Sequence, residues 1–228
     1  MRVPFISIEG IDGSGKSQQV KLLVEKLRNI GRTVVATKEP DGGQLGAEVR
    51  AMLTRPDRRL SPAEQLLLVS AARFDHVRSV IRPALASGQW VISDRFVDST
   101  YAFQVAASDL DLHQLFRSAR DIVVGSTLPD LTIILDLPLD VARDRRERRR
   151  DFIADPEEKT RDFAAIRDGL LAVALDNPGR CHLIDANQSP NAVAHDIWRL
   201  VKSLLRDASA AHGAAAARHP GPDTRKLS

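Results

Sequence analysis

The residues most able to do chemistry form one short run. Gly10-Ile11-Asp12-Gly13-Ser14-Gly15-Lys16-Ser17 follows the apolar stretch Phe5–Ile8 and precedes an amphipathic stretch. A G-x-x-x-x-G-K-S spacing between a strand and a helix is that of a phosphate-binding loop. Glycines let successive amides turn inward into a concave anion nest, and the following helix adds its N-terminal donors and dipole. In such a loop Lys16 reaches the β- and γ-phosphates of a nucleoside triphosphate and Ser17 ligates Mg²⁺. The plainer alternative is a glycine turn capping an ordinary helix.

Three more segments narrow the reaction. Asp94-Arg95 sits just past the apolar run Trp90–Ser93, on the sheet edge that faces the ligand crevice of an open parallel sheet. Asp94 there can hold the magnesium shell, and the Arg95 fork suits a phosphoryl group. The alternative is a helix cap beside a solvated arginine. Between Arg143 and Arg150, six of eight residues are arginine. Such a run is usually a solvated face or a nucleic-acid patch. The interleaved acids and the absence of aromatics argue against nucleic acid, and a lid closing arginines over a transferring phosphoryl group fits better. Arg73 interrupts an otherwise apolar helical stretch from Leu66 to Ala72. It is either turned into a crevice or snorkelling at the surface.

These residues need a frame. Phe5–Ile8, Thr33–Thr37, Trp90–Ser93, Leu131–Asp136 and Cys181–Ile184 read as strands. Their lack of polar alternation suits strands buried on both faces, and helical patterns alternate with them. The first helix carries Val20, Leu23, Val24, Leu27 and Ile30 on one face and ends at Gly31. Ser61-Pro62-Ala63-Glu64 combines a capping box with a proline at the first helical position and starts a long helix toward Ala86, with a disturbance at Pro83. A further helix buries Leu112, Leu115, Phe116, Ala119, Ile122 and Val123, and a last one Val193, Ile197, Leu200, Val201 and Leu204. The 228 residues suit one α/β domain. From Ala208 the chain turns to Ala, Gly, Pro and His, which predicts a disordered tail over Ala208–Ser228. A formal charge of +3 is too small for a general nucleic-acid binder, and the lone Cys181 reads as a small core residue in a reducing compartment. With no apolar stretch of membrane length, and with Glu9 and Asp12 interrupting any leader pattern, a cytoplasmic enzyme without membrane attachment is expected.

Together these pieces resemble the thymidylate kinase family of P-loop nucleoside monophosphate kinases, over nearly all of the chain to Leu205. The resemblance rests on Glu9 through Ser17, Glu39-Pro40-Asp41-Gly42-Gly43, Ala72-Arg73 with His76, and Asp94-Arg95-Phe96 through Ala102-Phe103-Gln104. Pro129-Asp130-Leu131 to Asp136 and Ile184-Asp185-Ala186 support it. It implies a P-loop NTPase fold with a five-stranded parallel sheet flanked by helices, a kinase domain over 1–207 and an arginine-rich lid at about 143–155. It also implies transfer of the ATP γ-phosphoryl group to dTMP, Mg²⁺ as cofactor, and a homodimer. Residues Gly10 to Ser17 would then hold ATP. Ser17, Asp94 and Glu9 would be the metal-side groups, Glu9 would also stand near the acceptor sugar, and Arg95 and Lys38 would face the acceptor phosphate. Arg73, Ser99, Thr100 and Gln104 would surround the base and Phe103 the sugar. Arg148 or Arg149 would reach adenine or phosphate from the lid. The chain departs from the family at Val69, where a thymine-stacking phenylalanine is usual, at Val105 for glycine, at Lys38 for arginine, and in Asp151-Phe152-Ile153-Ala154 of the lid. These departures leave two alternatives, a kinase for another deoxynucleoside monophosphate and a non-catalytic nucleotide-binding paralogue.

Overall fold

All five expected strands form: β1 (Phe5–Gly10), β2 (Val34–Lys38), β3 (Trp90–Asp94), β4 (Leu131–Asp136) and β5 (Cys181–Asp185). They pair in parallel in the order β2-β3-β1-β4-β5. The computed structural model describes residues 3–148 and 161–216, with side chains through Leu205. Register explains why chemistry collects at one edge. Ile8 of β1 and Lys38 of β2 both lie beside Asp94 of β3, so the C-terminal ends of three strands coincide.

Alternating strand residues feed two cores on opposite faces. Ile6, Ile8 and Ile92 pack with Leu23 and Leu27 of α1 (Lys16–Asn29) and Ile197 of the terminal helix. Phe5 and Val91 pack on the other side with Leu66 and Phe116. The Phe5 face of β1 continues through Ser7 and Glu9, so that face becomes polar as it approaches the functional edge.

Helices α2 (Gly46–Leu53) and α3 (Pro62–His76) follow β2. The expected capping box starts α3: the Glu64 amide donates to Ser61 Oγ, and the Ser61 amide donates to the Glu64 carboxylate. The disturbance falls ahead of Pro83, as a π-turn at Val77–Ile81 before α4 (Arg82–Ala86). Pro83 cannot donate a helical hydrogen bond, and the widened turn lets the Arg82 amide bond to Val77 instead. After β3 come α5 (Val97–Thr100), a second π-turn (Tyr101–Ala106) and α6 (His113–Val123). Then α7 (Leu139–Glu147) follows β4, α8 (Phe163–Asp176) precedes β5, and α9 (Pro190–Ala216) ends the described chain.

Two expected core residues are instead exposed, Ile30 just past α1 and Ile122 at 74%. Ile30 lies past the last helical residue, and at the end of α6 the neighbouring Val123 takes the buried place instead of Ile122. Helix α9 continues past the Ala208 composition boundary to Ala216, in keeping with the high helix propensity of alanine. Residues 217–228 lie outside the described residues. Cys181 is buried, and burial together with the Asp98 carboxylate pushes its thiol up to about 12, so it is an inert core residue.

Candidate active site

The phosphate-binding loop joins the end of β1 to the start of α1. Gly13 has φ +91°, and a Cβ there would lie 2.3 Å from the Ala142 carbonyl oxygen of α7. Only glycine lets α7 close so tightly on the loop. Lys16 Nζ donates to the Ile11 carbonyl at 3.0 Å and lies 3.7 Å from Asp12 Oδ1. Burial, then the Arg95 guanidinium, pushes the Lys16 ammonium down to about 8. The Ser17 hydroxyl donates to Asp94 Oδ2 at 2.6 Å, joining the start of α1 to the end of β3. A polar cavity of about 200 Å³ lies over this loop, with Lys16, Ser17, Lys38 and Asp94 in its wall.

A second cavity, of about 280 Å³, adjoins the first and shares Asp12, Glu39, Arg50 and Arg95 with it. Val69 and Arg73 of α3 line it, as do Ser99, Thr100, Phe103 and Gln104 from the segment after β3. The expected acceptor residues from Val69 to Gln104 therefore converge, although they come from separate elements. Lys38 is the exception. It lines the loop cavity, is largely exposed, and pairs with Asp41 at 2.9 Å.

Arg95 stands between the two cavities. Its φ of +70° is in the left-handed region, which costs a non-glycine residue roughly 1–2 kcal/mol. That conformation turns the guanidinium back over β1. Nη1 donates to the Gly10 carbonyl at 3.0 Å and to Ser99 Oγ at 3.1 Å, and Nη2 donates to Asp12 Oδ1 at 2.5 Å. The cation also sits 4.6 Å from the centre of the Phe103 ring. Asp12 gathers Lys16, Arg95 and Arg161. Burial opposes its charge, but Arg95, then Lys16 and Arg161, hold its carboxyl well below the usual carboxylate range.

Glu9 is expected near the metal and the acceptor sugar. It is wholly buried on β1 and lines neither cavity. The Ser99 hydroxyl donates to Oε2 at 2.5 Å, while Oε1 has no partner. Burial, with the Asp98 carboxylate, pushes Glu9 up to about 7. Asp98 in turn takes Arg180 bidentately at 2.7 Å on each oxygen and accepts from Thr132 at 3.2 Å. Glu9 thus supports Ser99 and Arg95 from behind.

Of the arginine run, α7 turns Arg146 inward. Its Nη1 donates to the Asp12 carbonyl at 3.1 Å and its guanidinium lies 4.1 Å over Phe163. Arg145 donates to the Ala186 carbonyl at 3.0 Å. Arg148 is exposed at the end of α7, and Arg149 with the rest of the expected lid to residue 155 lies outside the described residues. Among the cavity residues that carry no motif are two arginines that sequence reasoning does not find. Arg50 on α2 is held by Asp41 at 2.5 Å, and Arg161 lies 5.7 Å over Phe103. Both stand in charge-rich sequence where nothing distinguishes them from solvated arginines.

A phosphate loop at the C-terminal edge of a parallel sheet, opening through one arginine into a second pocket, defines a P-loop nucleoside monophosphate kinase. The family model described as thymidylate kinase matches residues 8–197, and the chain belongs to the thymidylate kinase family. It is 38% identical over 208 residues to a thymidylate kinase of Syntrophotalea carbinolica, covering 88% of this chain and 96% of that one. It is 40% identical over 200 residues to one of Thiobacillus denitrificans, covering 88% and 97%. A crystal structure of thymidylate kinase from Ehrlichia chaffeensis superposes with a TM-score of 0.71 at 32% identity, covering 89% of this chain and 99% of that one. No helix among the described residues is long and apolar enough to cross a membrane.

Proposed function

We propose that this protein transfers the γ-phosphoryl group of ATP to dTMP, giving dTDP and ADP. The observation that carries this reading is the shared wall of the two cavities, where Arg95 and Asp12 face both. ATP phosphates lie in the nest of Gly10 to Ser17 with Lys16 on the β- and γ-oxygens. The acceptor phosphate meets Arg95, its base reaches Arg73, Thr100 and Gln104, and Phe103 bounds the sugar. An acceptor phosphate oxygen attacks the γ-phosphorus as the bond to the β-phosphate oxygen breaks. That oxygen is already anionic, so positioning and charge neutralisation carry the rate and no strong base is needed.

The Ser17 hydroxyl and the Asp94 carboxylate are two hard oxygen donors at one edge of the loop cavity, a set that suits Mg²⁺ completed by phosphate oxygens and water. Bound there, the ion neutralises charge on the transferring phosphates. Glu9 serves by orienting Ser99 and Arg95 rather than as a ligand. Arg146 supplies the lid contact nearest the loop. Leu45 just before α2 and Met52 on it, with Leu67 and Phe74 on α3, are exposed apolar side chains that favour a homodimer, testable by sedimentation. A cytoplasmic kinase domain over 1–207, with the remainder an extension, completes the reading.

Incubating the protein with ATP, Mg²⁺ and each common nucleoside monophosphate tests it. A clear preference for dTMP is expected. Preference for another monophosphate would favour the second reading, which Val69 motivates, and ATP binding without transfer to any acceptor would refute both.

A further inference from the structure

Arg73 owes its position to a buried chain of polar groups that begins outside the acceptor cavity. Its Nε donates to Glu39 Oε2 at 2.7 Å, and Nη2 donates to Thr100 Oγ1 at 2.7 Å and to the Phe96 carbonyl at 3.2 Å. Glu39 follows β2 in a non-helical segment, and its other oxygen, Oε1, lies 3.2 Å from His76 Nδ1. The far ring nitrogen, Nε2, lies 2.7 Å from Thr37 Oγ1 at the end of β2. His76, Glu39 and Arg73 are all buried, with His76 fully so.

Hydrogen-bond chemistry places one proton. A carboxylate can only accept, so the contact with Glu39 puts a proton on Nδ1, while Nε2 shares a hydrogen bond with the Thr37 hydroxyl. The ring is also held sterically, because a Cβ on Gly42 would fall 2.2 Å from Nε2. Both Glu39 oxygens are therefore engaged, one by His76 and one by Arg73. With the His76 donor gone, the carboxylate would keep only Arg73 and could rotate with it, carrying the guanidinium away from Thr100.

We propose that His76 is a positioning residue for the acceptor: through its Nδ1–H bond to Glu39 it fixes the guanidinium plane of Arg73 against Thr100. The proposal rests on the acceptor cavity holding the monophosphate's base. His76 itself touches neither substrate.

Two substitutions separate positioning from filling space. In His76→Asn the amide nitrogen falls near the position of Nδ1 and still donates to Glu39. In His76→Gln the amide reaches the position of Nε2 and Thr37 but leaves Glu39 unserved. Steady-state kinetics with dTMP varied at saturating ATP, and the reverse, give both KM values and kcat. For His76→Gln we expect the dTMP KM to rise about tenfold, the lower range for a lost hydrogen bond to a charged group, with kcat and the ATP KM within about twofold. For His76→Asn the dTMP KM should stay within about threefold of wild type. A role in packing alone predicts the opposite order, because Gln fills the slot against Gly42 better than Asn. Equal KM values in the two variants, or a wild-type KM in His76→Gln, overturn the proposal. Should neither variant fold, an NMR spectrum of the ¹⁵N-labelled wild-type imidazole decides instead: a proton on Nδ1 supports the proposal, and an Nδ1 without one overturns it. Wild-type turnover of dTMP bears on the activity, whereas the ratio of variant KM values bears on positioning and can be read with whichever monophosphate the wild type accepts.

Discussion

The donor end of the site is built mainly from main chain and the acceptor end from side chains. At the donor end, eight consecutive residues supply the amide nest and its ammonium, and the nearest helper, Asp94, is one hydrogen bond away from Ser17. At the acceptor end, Arg73, Thr100, Phe103 and Glu39 come from three segments, and buried hydrogen bonds from Arg73 to Glu39 and Thr100 join all three. A main-chain site is fixed once its strand and helix form. A side-chain site depends on each rotamer being pinned, so it can drift in sequence and in specificity while the chemistry stays put. Substitutions at the two ends should therefore fail in different ways, kcat at one and acceptor KM at the other.

The largest expected effect is at the donor end. Lys16→Ala should lower kcat about a thousandfold or more, with an unaltered circular dichroism spectrum, because one preorganised cation is lost from the transferring phosphates. Turnover close to wild type would break the comparison at its root. Next comes the buried support behind the wall between the two ends. Glu9 is raised to about 7 in the fold against 4.5 in the unfolded chain. Below about pH 4.5 both states hold the proton and stability is full. As pH rises toward 7 the unfolded chain releases its proton first, so stability falls, by at most about 3 kcal/mol once Glu9 is charged in both states. Glu9→Gln cannot titrate. It should match wild type near pH 4 and be the more stable protein near pH 8 in magnesium-free urea unfolding. A stability gap that does not widen with pH would mean that Glu9 is ionised in the fold.

Arg73→Lys keeps a charge beside Glu39 but replaces a fork with a point. The dTMP KM should rise on the order of 10–100-fold while the ATP KM holds, as read from initial rates. Fusion of the two ends into one cooperative unit would show instead as equal losses in both constants. The contrast also explains what sequence could reveal. The loop, the five strands and the α3 capping box depend on neighbours in sequence, so spacing disclosed them. The contact of Glu39 with Arg73 spans 34 residues and that of Ser99 with Glu9 spans 90. No local pattern encodes either, so the place of Glu9 behind Ser99 could not be read from spacing. The arginine run shows the same limit. Composition marked a basic segment, but only the rotation of α7 about its axis selects Arg146 for the loop and leaves Arg148 outside.

The smallest expected effect would sharpen the comparison most. Val69 lines the same cavity as Phe103, and the resemblance leads one to expect a phenylalanine in its place. A valine offers less flat surface to a heterocycle. A ring there would add base stacking of roughly 1–3 kcal/mol, or nearer the lower figure where the cavity must adjust. Val69→Phe should therefore lower the dTMP KM about fivefold to tenfold, leave the ATP KM alone, and widen the preference for dTMP over other monophosphates. The donor end has no part in that gain, because Val69 does not border the loop cavity. If the acceptor KM rises instead, the space beside Val69 is already taken up by the acceptor. Valine would then be shaping the pocket for a larger base rather than leaving a pyrimidine loosely held. The acceptor end would differ from the family in what it selects, while the phosphate end beside it kept the same reaction.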